Sequence, residues 1–189
     1  MSATRAQLLA WIQEASVATG WPAPLLHAQL NYESRLRPNA TGFNKSGSID
    51  RGIAQINNQA HPEVSDAEAY NPRFAIHWAA AYDAALYQRC GSYAGALQAY
   101  NSGRCNGAPA YAKAIIDAAG PGAVQHPPAA PGKGAPAPAA GGAKPAGGKA
   151  PPAGKAPFGL GSLSPVTGAR WLLGAVAVVL AVVGLTRVL

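Results

Sequence analysis

The stretch ESRLRPNATGFNKSGSIDRGIAQIN, from Glu33 to Asn57, decides how this chain reads. Ahead of it, Pro22 and Pro24 suit the first turn of a helix, where a missing N–H costs nothing. Leu26, Leu30 and Glu33 then fall at i, i+4 and i+7, so Glu33 ends the helix on the face that carries two leucines. From Arg35 to Asn58 the chain is rich in Asn, Ser and Gly, which predicts turns and a small hairpin. A carboxyl among apolar neighbours is disfavoured as an anion, which makes it a general acid able to work near neutral pH. A glutamate that caps its helix, or pairs with Arg35 or Arg37, fits the same spacing, and periodicity alone favours that plainer reading. Asp50 stands seventeen residues further on, in the polar loop. One carboxyl in an apolar place and one in a polar place is the pairing used in glycoside hydrolysis. An aspartate in a Ser-rich turn is also a common Asx-turn residue, and spacing leaves both open.

Outward from this stretch the pattern is mostly helical. Met1–Gly20 has one early arginine but no continuous apolar run; Gln7, Gln13 and Glu14 interrupt it at helical spacing. It reads as a domain helix with Leu8, Ile12 and Ala15 on one stripe, ending at Gly20, and not as a secretory signal. Asn71-Pro72 opens a helix with Phe74, Trp78, Tyr82 and Ala85 on one stripe, closed at Cys90-Gly91. Ser92 caps another that runs to Tyr100-Asn101, and a last one starts at Pro109 and carries Tyr111, Ile115 and Ile116. About five short helices around one irregular lobe make an α-rich α+β domain. Trp11, Trp78 and Tyr82 are expected in the core; an exposed Trp21 or Tyr32 would serve as a sugar platform.

The chain has 189 residues with 22 Gly and 17 Pro, placed unevenly. Residues 120–157 consist of 12 Ala, 10 Pro, 9 Gly, 4 Lys, one Val, one Gln and one His. Such a composition cannot bury enough apolar surface to offset the entropy of ordering it. The expected organisation is therefore a domain at 1–119, a disordered Pro/Ala/Gly linker at 120–157 and a tail at 158–189. Nine Lys/Arg and eight Asp/Glu lie in 1–119, whereas six Lys/Arg and no acid follow. Basic charge outside the folded part argues against a nucleic-acid partner. In the tail, Trp171–Thr186 is sixteen uncharged residues between Arg170 and Arg187. As a helix of about 24 Å, with flanking arginines that snorkel, it predicts a C-terminal transmembrane anchor over about 170–188.

Four segments then align with a known family. Glu33-Ser34, Gly52-Ile53-Ala54-Gln55-Ile56-Asn57, Asn71-Pro72 and Ala99-Tyr100-Asn101-Ser102-Gly103 stand in order. Together they resemble the lytic transglycosylase domain of the lysozyme-like superfamily, above all the small enzymes of secretion systems, conjugation machines and phage particles. The run from Asn44 to Asp50 is also similar to c-type lysozymes. The resemblance covers roughly residues 5–118 and none of the linker or tail.

The resemblance implies a lysozyme-like fold that acts on peptidoglycan glycan strands, without cofactor or metal. It implies Glu33 as the single acid/base, Tyr100 as the tyrosine that orients it, and Asn101 beside that tyrosine. It further implies Gln55 lining the sugar groove and Ser46 touching the substrate's N-acetyl or peptide region. Asp50 departs from the soluble transglycosylases but is shared with lysozymes and with several secretion-associated relatives. The implied reaction cleaves the MurNAc-β-1,4-GlcNAc bond and closes a 1,6-anhydro ring, with lysozyme-type hydrolysis through Glu33 and Asp50 as the alternative.

Cys90 and Cys105 flank the Tyr100 segment and would form a disulfide in an oxidising site, or stay as free thiols; with His61 or His77 they lack zinc-ligand spacing. A wall-cleaving domain, a linker spanning roughly 35 Å as a coil and an apolar tail describe a tethered muramidase. Without an export signal the expected location is the internal membrane of a virion, alongside other virion proteins. The alternatives are a bacterial inner membrane, with the domain facing the wall beside a secretion machine, and an inactive wall-binding module.

Overall fold

A computed structural model describes residues 3–125. Helix α1 (Arg5–Thr19) opens on a capping box in which Thr4 and Gln7 satisfy each other's backbone N–H groups. It closes at Gly20 in the left-handed region, with φ of 72°, where glycine carries no Cβ penalty. Its stripe of Leu8, Ile12 and Ala15 is buried. Helix α2 (Ala23–Ser34) follows, with Pro22 as N-cap and Pro24 within the first turn.

The lobe after α2 is a three-stranded antiparallel sheet of β1 (Thr41–Phe43), β2 (Ile49–Arg51) and β3 (Ile56–Asn57), in the order β1-β2-β3. The register sets Gly42 opposite Asp50, and Asp50 opposite Asn57. Strands this short depend on side chains for their hold. Arg51, buried, donates to the carbonyls of Ile56, His61 and Val64 and to Asp66 at 2.8 Å.

The short α3 (Asp66–Ala69) starts at a Ser65/Glu68 capping box. Helix α4 (Pro72–Cys90) has Asn71 as N-cap, and α5 (Tyr93–Ser102) has Ser92. Helix α6 (Pro109–Ala119) follows and continues into a 3-10 turn at Pro121–Val124. Ala123 of that turn is buried against the core, so ordered packing extends past Ala119. Cys90 and Cys105 form a disulfide with Cα atoms 5.5 Å apart, which ties the end of α4 to the chain just after α5.

The core gathers Leu25, Leu26 and Leu30 of α2, Ile76 and Ala80 of α4, Leu97 of α5 and Ile115 of α6. Trp21 is fully buried with its ring edge-on to Tyr93, 5.2 Å between centroids, so it is a core residue and not a sugar platform. Helix-rich architecture with one small sheet matches the expected α-rich α+β class. Among the described residues no helix is long and apolar enough to cross a membrane. The anchor expected at 170–188 and most of the 120–157 linker lie outside the described residues.

Candidate active site

Glu33 stands in the last turn of α2, half-buried, and the end of that helix is fixed by its neighbour. Ser34 is buried and its hydroxyl donates to Ile53 O at 2.8 Å, and it also accepts from Arg37 N–H. Arg35 and Leu36 then both take the left-handed region, with φ of 56° and 57°. Two such residues in a row turn the chain sharply away, which leaves Glu33 at the rim between helix and sheet. The plainer sequence reading gave Glu33 to Arg35 or Arg37. In the structure the Arg37 guanidinium donates to the Ser34 carbonyl at 2.9 Å, and the Tyr111 hydroxyl donates to Glu33 Oε1 at 2.5 Å.

Tyr111 comes from α6, 78 positions away, and is buried. Its ring meets Tyr32 edge-on at 5.1 Å. Burial first, and the Glu33 charge second, hold its hydroxyl proton well beyond the usual tyrosine range, so it remains a donor. The sequence placed Tyr111 on the last helix without a role. The only local signal was its place on an inward stripe with Ile115, which any core tyrosine shares.

Tyr100, expected to orient Glu33, points its hydroxyl elsewhere: it donates to Ala54 O at 2.7 Å. Its proton too is held well above the usual range, by burial first and then by Glu33, with a further contribution from Asp50. Glu33, Tyr100 and Asp50 therefore share one electrostatic neighbourhood, with Tyr100 fastened to the turn that carries Gln55.

That turn is tightly built. Gly52 has φ of 70°, and a Cβ there would lie 1.9 Å from Ala69 O, so only glycine fits. Gln55 has φ of 51° and its amide donates to Gly52 O at 2.8 Å and Ala40 O at 3.3 Å. The Gln55 side chain thus braces the lobe while partly exposed. Asp50 is nearly buried, and its two oxygens accept from Asn44 at 3.0 Å and Asn57 at 2.8 Å. Both amides also reach Ser48, whose hydroxyl lies 3.1 Å from that of Ser46. Ser46 itself is exposed in the β1–β2 turn, and Asn101 is half-buried in the last turn of α5. The structure thus joins Glu33 to Tyr111, fastens Tyr100 to Ala54 O and holds Asp50 between Asn44 and Asn57, while Ser46 meets Ser48.

A narrow cleft beside this group is lined by Gln55, Asn57, His61, Trp78, Tyr82 and Tyr100. His61 is buried there, its ring edge-on to Trp78 and Tyr82, and its Nδ1 lies 3.1 Å from Glu63. Burial holds its pKa down against the raising effect of Glu63, which favours a neutral ring. Among the described residues no cluster of three or more His, Cys, Asp or Glu is placed to hold a metal ion.

A carboxyl at a helix end, gripped by one tyrosine and set beside a second, on the rim of a small polar sheet, is equipped for proton transfer. Comparison with protein families finds that the Transglycosylase SLT domain matches residues 10–114. The chain belongs to that family. Comparison with curated proteins and with solved structures gives no match. The matched span begins inside α1 and ends inside α6, so it takes in the sheet and every residue of the site. As an SLT domain the chain is of the lytic transglycosylase, lysozyme-like type, and its substrate is peptidoglycan.

Proposed function

We propose that Glu33 is the single acid/base of a non-hydrolytic cleavage of the MurNAc-β-1,4-GlcNAc bond. Glu33 gives its proton to the glycosidic oxygen as the C1–O bond breaks. The substrate's acetamido group supports the cation at C1. The Glu33 carboxylate then takes the proton of the C6 hydroxyl as O6 bonds to C1, closing the 1,6-anhydro ring and restoring the acid. Protons balance within one residue, with no water consumed.

The observation that carries this reading is the Tyr111–Glu33 bond. A hydroxyl donor on the carboxyl stabilises it after it has lost its proton and fixes the plane in which the proton is passed. Tyr100 steadies the floor of the site through Ala54, and Gln55, Ser46 and Asn101 are assigned to the sugar chain at its rim. Asp50 is read as a framework group, because each of its oxygens accepts an amide N–H from the lobe.

Asp50 also supports a second reading. The Asn44–Asp50 run shared with lysozymes suits hydrolysis with Asp50 as nucleophile or stabiliser. The test is lysis of purified sacculi by the full chain and by Glu33→Gln. The proposal expects lysis to vanish in the variant, whereas an inactive wall-binding module loses nothing.

For the whole chain we propose a tethered enzyme. Residues 126–157 would span the gap to the wall, and residues 170–188 would hold a virion membrane through which genome delivery opens the wall locally. A bacterial secretion or conjugation machine is the alternative setting. The support is the sequence of residues 120–189: a Pro/Ala/Gly/Lys run and then sixteen uncharged residues between two arginines. Flotation with lipid vesicles and detection in purified particles test the two halves of this statement separately.

A further inference from the structure

One turn before Glu33 on α2, Gln29 faces Asp83 of α4, and both are entirely shielded from solvent. The Gln29 Nε2 group donates to Asp83 Oδ1 at 3.3 Å. The remaining oxygens of the pair, Gln29 Oε1 and Asp83 Oδ2, are both buried without a hydrogen-bond partner. Buried polar atoms are almost always satisfied, and here both unsatisfied oxygens belong to the same two touching side chains. Two acceptors left over in one contact lack one thing, a proton.

We propose that Asp83 is a neutral carboxylic acid in the folded protein, whose Oδ2–H donates to Gln29 Oε1 while its Oδ1 accepts from Gln29 Nε2. The reciprocal pair pins α2 to α4 directly below the turn that carries Glu33. Asp83 then adds no carboxylate charge beneath Glu33. That consequence rests on Glu33 being the acid/base; the protonation of Asp83 does not.

The surroundings agree. The titratable groups that interact electrostatically with Asp83 are Glu33 on α2, Tyr82 on its own helix, Tyr100 on α5 and Tyr111 on α6, and none is a cation. Glu14 of α1 is engaged nearer the start of α4, with Arg73 and His77. Burial raises the Asp83 carboxyl well above its ordinary value, outweighing the opposing effect of Gln29. With Asp83 neutral, Glu33 passes between acid and carboxylate without a second buried anion beneath it.

The sign of the linkage follows. A folded state that keeps a proton which the unfolded chain releases is most stable below the ordinary aspartate value of 3.8, and loses that margin as pH rises toward the folded value. Asp83→Asn offers the same donor and acceptor without the titration. Its Tm is therefore expected to equal the wild type's in acid and to exceed it increasingly as pH rises.

The deciding experiment is carbon NMR of the side-chain carboxyls of the full chain across pH. The Asp83 signal is expected to stay at its carboxylic-acid position through neutral pH. A carboxylate signal for Asp83 at neutral pH overturns the proposal, as does an Asp83→Asn variant that is less stable than wild type at neutral pH. The consequence for Glu33 is read from the pH profile of lysis: Asp83→Asn removes no charge and is expected to keep the wild-type profile. A profile moved to lower pH would mean that a charged Asp83 had been acting on Glu33. The NMR result needs no substrate, so it stands or falls apart from the assignment of Glu33.

Discussion

Tyr111 of α6 and Glu33 of α2 are joined by a 2.5 Å hydrogen bond, while Tyr100 of α5, equally buried beside them, spends its hydroxyl on Ala54 O. Two tyrosines in one neighbourhood thus have separable duties, one toward the carboxyl and one toward the floor of the site.

Exchanging each for phenylalanine separates the duties. A hydrogen bond to a charged group contributes about 1.5–3 kcal/mol, so Tyr111→Phe is expected to lower kcat by roughly 10- to 100-fold with little change in KM. Tyr100→Phe leaves a buried carbonyl unpaired, at a cost of about 1–3 kcal/mol, and should show mainly as a lower Tm. Steady-state kinetics beside thermal melts of both variants check this. The reverse assignment of losses would return Tyr100 to the role the family motif implies.

Asp50 distinguishes framework from nucleophile. Asp50→Asn sets an amide against the Asn44 and Asn57 donors, so the lobe should lose about 1–3 kcal/mol of stability. Activity at a temperature where the variant is folded is expected to fall by less than about tenfold. Loss of several orders of magnitude, with the fold intact by circular dichroism, would identify Asp50 as a group that acts on the reacting carbon.

The Cys90–Cys105 bridge closes a loop of 15 residues, for which the chain-entropy model gives about 3 kcal/mol. A double Cys→Ser variant is expected to melt on the order of 10 °C lower. Calorimetry with and without reductant should give the same difference for the wild-type protein.

His61 adds a pH limb. Its pKa is lowered on folding, chiefly by burial, so the unfolded chain binds the proton more readily. The stability contributed by its neutral form is present above the ordinary value of 6.5 and is lost as pH falls through the folded value. Tm measured across that acid range should fall more steeply for the wild type than for His61→Gln.

The helices and the place of Glu33 were legible in the sequence because each rests on local chemistry. Asn71-Pro72, Ser92 and Gly20 mark ends through backbone geometry and caps. The i, i+4, i+7 spacing of Leu26, Leu30 and Glu33 survives into the structure, with the leucines buried and Glu33 at the rim. The sheet was legible only as turns, since strands of two and three residues are too short to show alternation. Helix α3 has a readable sign in Ser65 and Glu68, which form a capping box. The Tyr111–Glu33 and Gln29–Asp83 contacts join residues 78 and 54 positions apart. Nothing local selects Tyr111 from the other aromatic residues on inward stripes. Gln29, at i+4 from Leu25 and i−4 from Glu33, was the polar residue out of pattern that pointed inward.

Glu33 is proposed to serve in turn as acid and base. Mass spectrometry of the fragments released from purified sacculi by the full chain, with Glu33→Gln as control, tests it most directly. Muropeptides ending in 1,6-anhydro-muramic acid are expected from the wild type and none from the variant. Fragments one water heavier, with free reducing ends, would contradict it and make Asp50 a partner in hydrolysis.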